Sequence, residues 1–219
     1  MKRKACCNMK KPTIDTSSLA LKYFLISLVL GLLVACSGEP PFQPLSGSAT
    51  VLAFGDSLTA GNGAPQQGSY PAQLSGLINL SVINGGVSGE ESNEGRDRLA
   101  NLLDQYRPEL LILCHGGNDL LRKRPLAQLE ENLKTMITMA QQRGIQILLL
   151  GVPSPGIFLS GNKVYENVAA DTGVELIPDL IADVLSQPAL KSDTIHPNEA
   201  GYTEIAETIA SELKKLGAI

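Results

Sequence analysis

The chain has 219 residues, and its 18 Lys and Arg against 22 Asp and Glu give a formal net charge of −4. An acidic chain argues against nucleic acid as a partner. Two distant His and no Cys cluster make a poor set of metal ligands, so we do not expect a metal site.

The first segment, 1–35, predicts an export signal that is not part of the fold. Residues 1–22 are basic, and an apolar run from Tyr23 to Ala35 follows, which is too short to span a membrane as a mature helix. Leu33-Val34-Ala35-Cys36 resembles a bacterial lipobox, in which the Cys is acylated. An ordinary signal peptide with a coincidental Cys is the alternative. A start at Met9 would also give a more ordinary signal.

Residues 36–48, rich in Gly, Pro and Ser, predict a flexible tether between the lipid and the domain. The folded domain is expected over 49–219. Ser37 resembles the residue that follows the Cys in lipoproteins sorted to the outer membrane. We therefore expect a lipoprotein of the outer membrane that faces the periplasm. A periplasmic or secreted protein is the alternative.

Short apolar runs then alternate with amphipathic segments. The runs cover 49–54, 80–84, 110–114, 145–150 and 174–177, and the amphipathic segments lie near 70–78, 92–105, 125–143, 162–172 and 198–216. Runs that are apolar on both faces are typical of buried parallel strands. Gly144 and Gly173 are placed to end two of the helices. This alternation predicts an α/β fold, a three-layer sandwich with a five-stranded parallel sheet.

Polar, Gly-rich turns follow the first three apolar runs. They are Gly55-Asp56-Ser57-Leu58, then 84–90, and then His115-Gly116-Gly117-Asn118-Asp119. The carboxyl ends of parallel strands meet at one edge of the sheet, where ligands bind in open α/β folds. This edge is the candidate site.

A serine nucleophile with a histidine base is the chemistry that these residues favour. A serine hydroxyl needs a base to remove its proton, and His is suited to that role at neutral pH. His196 lies before the last predicted helix, and Asp193 is three residues upstream, close enough to orient the imidazole. A surface loop with an incidental His and Asp is the alternative. The Gly-Asp-Ser turn around Ser57 favours the triad.

Acyl transfer also needs donors for the oxyanion that develops on the substrate. The backbone N–H of Ser57, the N–H of Gly89 and the side-chain amide of Asn118 are candidates. A glycine suits the second position because it lets the backbone approach the reacting carbon.

Four blocks in order resemble those of the SGNH, or GDSL, hydrolases, over about 49–216. They are 54–61, Gly89 within 87–90, Gly117-Asn118-Asp119, and 193–197. The resemblance implies a Ser57-Asp193-His196 triad, an oxyanion hole of Ser57, Gly89 and Asn118, a flavodoxin-like sheet, and no metal or cofactor. Within the family, the chain is most similar to the bacterial multifunctional thioesterase I group, also described as protease I, lysophospholipase and arylesterase.

Two features depart from the family pattern. His115 stands where an acidic or small residue is expected, and it is either a structural residue at a strand end or a second polar group near the pocket. The run Arg122-Lys123-Arg124 is either a solvated charged surface or a docking patch for anionic head groups.

The expected activity is hydrolysis of carboxylic esters and thioesters such as lysophospholipids, acyl thioesters or aryl esters. The substrate is a small acyl ester or lipid, the membrane is reached through Cys36, and the protein is expected to be a monomer. A dinucleotide-binding domain is excluded because no Gly-rich loop has the required spacing. A carbohydrate O-acetylesterase and a non-catalytic lipid-binding lipoprotein remain alternatives. Scarce aromatic residues, with no Trp, favour acyl chains over sugars.

Overall fold

Five parallel strands form one sheet in the computed structural model, which describes residues 41–154 and 163–219. The strands are β1 Thr50–Gly55, β2 Ser81–Gly86, β3 Leu110–Cys114, β4 Gln146–Leu150 and β5 Glu175–Ile177. Their order is β2-β1-β3-β4-β5, and every neighbouring pair is parallel. This is the doubly wound, flavodoxin-like order, and it confirms the predicted fold class.

Eight α-helices connect or follow these strands in the described residues. They are α1 Ser57–Ala60, α2 Tyr70–Ile78, α3 Ser92–Tyr106, α4 Gly117–Leu121, α5 Leu126–Gln141, α6 Lys163–Thr172, α7 Leu180–Ser186 and α8 Glu199–Lys215. Helices α2, α7 and α8 pack together, and α3, α5 and α6 form a second group. Because crossovers between parallel strands are right-handed, the reversal of direction after β2 places the two groups on opposite faces.

The core lies on the three central strands, β1, β3 and β4, whose residues are almost all buried. They are apolar on both faces because helices cover both. The edge strands β2 and β5 are only partly buried. Gly144 and Gly173 both have a φ of +70°, and they follow α5 and α6 as predicted, in the left-handed conformation that ends helices.

Two elements differ from the sequence prediction. Strand β2 extends to Gly86, so Asn84, Gly85 and Gly86 belong to the strand and the polar turn begins at Val87. An edge strand tolerates such residues because one side of it is not paired. Helix α7 was not predicted, because its sequence Leu-Ile-Ala-Asp-Val-Leu-Ser is too short and too uniformly apolar to display a helical period.

The predicted tether is wrong for residues 41–48, which pack on the domain. Phe42 is buried in the core, and its N–H donates to the carbonyl of Leu216 at 3.1 Å. The N–H of Leu45 donates to Ala218 at 2.8 Å, and that of Ser46 to the carboxylate of Glu109 at 2.9 Å. A composition rich in Gly and Pro did not reveal these distant partners. The signal segment and Cys36 lie outside the described residues.

Candidate active site

A cavity of about 600 Å³ opens at the carboxyl edge of the sheet. Its walls are mainly apolar, with a few polar groups among them. The lining residues are Asp56, Ser57, Leu58, Gly117, Asn118, Leu121, Val152, Pro153, Leu185, Ser186, Lys191, Thr194, Ile195 and His196. Such a combination of apolar walls and few polar groups is typical of small-molecule sites.

Ser57 lies two residues after the end of β1 and begins the short helix α1. Its backbone N–H is among the first of that helix and therefore has no partner within it. Asp56 forms the N-cap, and its Oδ1 accepts the N–H of Leu58 at 3.1 Å. The sharp turn from strand to helix thus presents Ser57 at the edge of the sheet.

Asp56 also joins this turn to the turn after β3. Its Oδ2 accepts the N–H of Gly117 at 3.1 Å, so one carboxyl group fixes the turns that carry Ser57 and Asn118. Burial raises the pKa of Asp56, although its electrostatic interaction with His115 and the two N–H donors oppose that rise. Asp56 is part of the Gly-Asp-Ser turn, but no role was predicted for it from the sequence.

The structure brings Ser57, His196 and Asp193 into one chain of hydrogen bonds. His196 Nε2 lies 3.0 Å from Ser57 Oγ, and Nδ1 lies 2.8 Å from Asp193 Oδ2. A carboxylate can only accept, so Nδ1 carries the proton and Nε2 accepts from the serine hydroxyl. Partial burial raises the pKa of Asp193, but hydrogen bonds from His196 and the N–H of Ile195 outweigh it and leave the pKa below its ordinary value.

The loop that carries His196 is held in place by its own hydrogen bonds. Asp193 Oδ1 accepts the backbone N–H of both Ile195 and His196 at 2.8 Å. The N–H of Ser192 donates to the carbonyl of His196 at 3.0 Å. These bonds close a tight turn, so the three-residue spacing of Asp193 and His196 lets one side chain orient the other.

Gly63 lets the segment after α1 pack against this loop. Its φ is +97°, and a Cβ there would stand 2.2 Å from Ser192 Oγ and 2.3 Å from the carbonyl of Pro197. The Tyr202 hydroxyl, from α8, donates to the carbonyl of Asn62 at 2.8 Å. Close packing at this point sets the distance between the serine and histidine loops.

The three predicted oxyanion donors are placed differently. Asn118 lines the cavity, and its Nδ2 donates to the carbonyl of Glu90 at 3.0 Å, which leaves the second amide hydrogen available. Gly89 has a φ of +82°, with open space beside its Cα, and its N–H has no hydrogen-bond acceptor among the described residues. It does not line the cavity itself but lies one residue before Glu90.

His115 belongs to a hydrogen-bond network with Glu90 and Arg98, which explains its structural role. The N–H of Gly116 donates to His115 Nδ1 at 2.9 Å, so Nε2 carries the proton and donates to Glu90 Oε2 at 3.0 Å. Arg98 binds both carboxylate oxygens of Glu90, at 2.6 and 2.7 Å, and donates to the carbonyl of Gly85. His115 is fully buried and does not line the cavity. Its structural interpretation is therefore favoured.

The cationic run Arg122-Lys123-Arg124, which follows α4, is paired with an acidic side chain of the same domain. Arg122 donates to Glu91 at 2.6 Å, and Arg124 donates to both oxygens of Glu91 at 2.9 and 3.0 Å. Glu91 is the N-cap of α3, with Glu94 completing a capping box. Two of the three cations are thus paired with a carboxylate, which argues against the docking patch as the alternative for this run.

Several lining residues were not predicted from the sequence. Val152 and Pro153 lie just after β4, separated from it by Gly151, and the rule that gave the first three strand-end turns would have indicated them. Leu185 and Ser186 belong to α7, which was missed, and Lys191 lies in the loop after it. No local pattern in the sequence connects that segment with Ser57.

Neither metal ligands nor a membrane-crossing helix is found in the described part of the chain. Residues 41–154 and 163–219 contain no group of three or more His, Cys, Asp or Glu side chains that could hold a metal ion. Within the same ranges, no helix has the length and apolar character needed to cross a membrane.

Comparison with known proteins places this site in a family. Residues 53–203 match the model of the GDSL-like Lipase/Acylhydrolase family, and this range contains Ser57, Asp193 and His196. The chain belongs to the GDSL-like lipase/acylhydrolase family. The predicted class, a serine hydrolase that acts on ester bonds, is confirmed by this membership and by the named relatives.

Two relatives of this GDSL-like chain are esterases by name, and a third is a lipoprotein. It is 30% identical to an arylesterase of Vibrio mimicus over 204 residues, which cover 87% of this chain and 98% of that protein. It is 31% identical to Esterase TesA of Pseudomonas aeruginosa over 196 residues, covering 84% and 98%. A more distant relative, at 30% identity over 59% of this chain and 56% of that protein, is the uncharacterized lipoprotein YqeF of Bacillus subtilis.

Solved structures of GDSL-like enzymes share the fold. The crystal structure of TesA has a TM-score of 0.69 and 32% identity, covering 76% of this chain and 99% of that one. The esterase EstA from Pseudoalteromonas, inhibited by monoethylphosphonate, has a TM-score of 0.69 and 25% identity, covering 77% and 98%.

Proposed function

We propose that this protein hydrolyses carboxylic esters and thioesters of acyl chains, with Ser57 as nucleophile, His196 as general base and Asp193 as the group that orients it. The observation that carries the proposal is the 3.0 Å hydrogen bond between His196 Nε2 and Ser57 Oγ. A base within this distance can take the hydroxyl proton as the oxygen attacks.

The reaction proceeds in two halves through an acyl-enzyme. Ser57 Oγ attacks the carbonyl carbon while its proton moves to His196, and His196 then gives that proton to the leaving alcohol or thiol. Water enters, loses a proton to His196 and attacks the acyl group, and collapse of the intermediate returns the proton to Ser57. Asp193 keeps the imidazole in the required tautomer and stabilises its charged form.

The oxyanion formed in each half is proposed to bind the N–H groups of Ser57 and Gly89 and the amide of Asn118. Support comes from the free second hydrogen of Asn118 Nδ2 and from the unpaired N–H of Gly89. Asn118 is already fixed by the carbonyl of Glu90, so it needs little reorganisation when charge develops.

An acyl chain is the proposed substrate group that fills the cavity. Leu58, Leu121, Val152, Leu185 and Ile195 supply apolar surface, which would bind an alkyl chain through burial of apolar area. No Phe, Tyr or Trp is among the described lining residues, so the aromatic platforms expected for a sugar ester are not present there. This favours lysophospholipids, acyl thioesters or aryl esters over an O-acetylated carbohydrate.

The proposed location is the cell envelope, with a lipid on Cys36 that holds the enzyme at the outer membrane. The lipobox-like sequence and the lipoprotein relative support this. Since Phe42 already packs in the domain, the stretch between Cys36 and the domain is shorter than the predicted tether. Acyl chains would supply the membrane affinity.

A substrate series tests the proposed function. Purified enzyme is assayed on nitrophenyl esters of increasing acyl length, beside a lysophospholipid and an acyl-CoA. We expect turnover of all classes, with kcat/KM rising with chain length until the cavity is filled. Turnover of acetyl esters alone would favour the carbohydrate esterase, and the absence of any turnover would favour a non-catalytic binding protein.

A further inference from the structure

We propose that Lys191 binds a phosphate group on the ester substrate, so that the enzyme prefers phosphate-bearing esters or thioesters over neutral ones. This inference rests on the proposed function, and it adds an anion-binding position to the same cavity. Lys191 lines the cavity together with Ser57 and His196.

Lys191 is the one Lys or Arg among the described lining residues. The lining includes one carboxyl group, that of Asp56, but both of its oxygens already accept backbone N–H groups. Asp193, beside the cavity, is engaged by His196. Neither carboxyl group pairs with the ammonium of Lys191, which donates to a backbone carbonyl instead.

The ammonium group keeps donors available for a ligand. Lys191 Nζ donates to the carbonyl of Leu185 at 3.2 Å, and an ammonium has three N–H donors. No carboxylate among the described residues lies within salt-bridge distance of Lys191, whereas Arg122 and Arg124 are both paired with Glu91. Lys191 thus has no salt-bridge partner among the described residues, and it lies a few residues before His196 in the sequence.

The backbone of Lys191 is fixed relative to the catalytic loop. Lys191 and Pro197, the residue after His196, form an isolated antiparallel bridge. The amide of Asn198 donates to the carbonyl of Lys191 at 3.4 Å and to that of Ala189 at 2.8 Å. A ligand bound by Lys191 would therefore be held at a set position relative to His196, which is what orientation of a substrate requires.

A cation on the wall of an apolar cavity is suited to a ligand with both an acyl chain and an anionic group. Phosphate is such a group, and a charged hydrogen bond to it is stronger than a neutral one. Phosphate occurs near the ester of a lysophospholipid and at a distance from the thioester of an acyl-CoA. The alternative for Lys191 is structural, because its bond to Leu185 also satisfies a carbonyl in the last turn of α7.

The test uses substrate pairs in which one member carries phosphate and the other is uncharged. One pair is lysophosphatidic acid and the monoacylglycerol of the same acyl chain, and the other is acyl-CoA and the acyl thioester of N-acetylcysteamine. For Lys191→Gln, we expect kcat/KM to fall about tenfold on phosphate-bearing members and to stay within about twofold on neutral ones. Lys191→Arg should retain the preference, since a guanidinium also binds phosphate.

Lys214→Gln is the matched control for the change in net charge, because Lys214 is exposed in the last turn of α8. It should leave both members of each pair unaffected. A loss confined to the lysophosphatidic acid pair would place the phosphate beside the ester, and a loss confined to acyl-CoA would place it farther away; either result supports the site.

Equal losses on charged and neutral members, or none, would overturn the proposal and leave Lys191 a structural residue of α7. The same holds if Lys214→Gln reduces the preference as much. In both cases the wild-type enzyme still hydrolyses esters. Failure of the proposed function is a different result, in which no member of either pair is turned over.

Discussion

The imidazole Nε2 of His196 lies 3.0 Å from the hydroxyl oxygen of Ser57, although 139 positions of sequence separate the two residues. Ser57 follows the first strand of the sheet and His196 precedes the last helix. The carboxyl edge of the sheet brings these loops together. This distance supports the proposed roles of Ser57 as nucleophile and His196 as general base.

Ser57→Ala should abolish ester turnover and covalent labelling by a fluorophosphonate, because both need the nucleophilic oxygen. We expect kcat to fall by about four to six orders of magnitude. The unfolding midpoint should change little, since Ser57 is only partly buried. Labelling followed by intact mass measurement, with circular dichroism of the variant, checks this. Undiminished labelling would mean that another residue is the nucleophile.

His196→Ala should reduce kcat about as much as Ser57→Ala, because the two residues are proposed to act as a unit. Asp193→Ala should reduce kcat less. The second histidine provides the comparison. His115→Ala removes a buried hydrogen bond to Glu90 and should lower stability by about 1–3 kcal/mol, with a far smaller effect on kcat. Steady-state kinetics and urea unfolding separate the two effects. An enzyme damaged more by His115→Ala than by His196→Ala would contradict the assigned base.

Asn118→Ala should lower kcat by about 10²–10³ with little change in KM, because its amide binds charge that exists mainly in the transition state. Asn62→Ala is the control: that amide accepts from Ser88 Oγ and does not line the cavity, so kcat should be retained. The comparison is made on one nitrophenyl ester. An effect of Asn118→Ala on KM alone would assign this residue to ground-state binding instead.

Glu90→Gln should lower the free energy of unfolding at neutral pH, and it should make that free energy less dependent on pH in the acidic range. Burial raises the pKa of Glu90, but hydrogen bonds from His115 and Arg98 outweigh it, so the pKa lies below the ordinary 4.5. A depressed pKa contributes stability that is fully present above the unfolded-state value and is lost as pH falls through the folded-state value.

The free energy of unfolding of Glu90→Gln should be lower by about 1–3 kcal/mol at neutral pH, and the gap to wild type should narrow on acidification below the ordinary pKa. Urea titrations across this pH range measure it. A gap that stays constant with pH would show that the ionised form of Glu90 contributes nothing specific to stability.

Cys36→Ser should release the enzyme from membranes without loss of activity in solution, because we propose that acyl chains on Cys36 supply the membrane affinity. Fractionation of wild type and variant, with mass spectrometry of the mature N-terminus, checks this. Ser37→Ala, in which Cys36 is retained, should stay in the membrane fraction. An unmodified Cys36, or cleavage at another position, would indicate a periplasmic or secreted esterase.

Local sequence was enough to predict most of the fold. The five strands and the five longer helices were predicted within a few residues. Hydrophobic periodicity made this possible because it depends on residues that are near one another in the sequence. Asp193 and His196 are three positions apart, so a tight turn alone brings their side chains together. The Gly-rich turns after β1 and β3 identified one edge of the sheet for the same local reason.

Only the tertiary structure decided which distant groups meet. Glu91 forms salt bridges with Arg122 and Arg124, and Glu90 is hydrogen-bonded to His115. Residues 41–48 pack against the C-terminal segment. Helix α7 and Lys191 complete a cavity whose other wall follows β1 and β3. Pairing across such separations depends on how the layers pack and not on any repeat along the chain. Sequence therefore predicted most of the elements and the candidate reactive residues, and packing decided their partners.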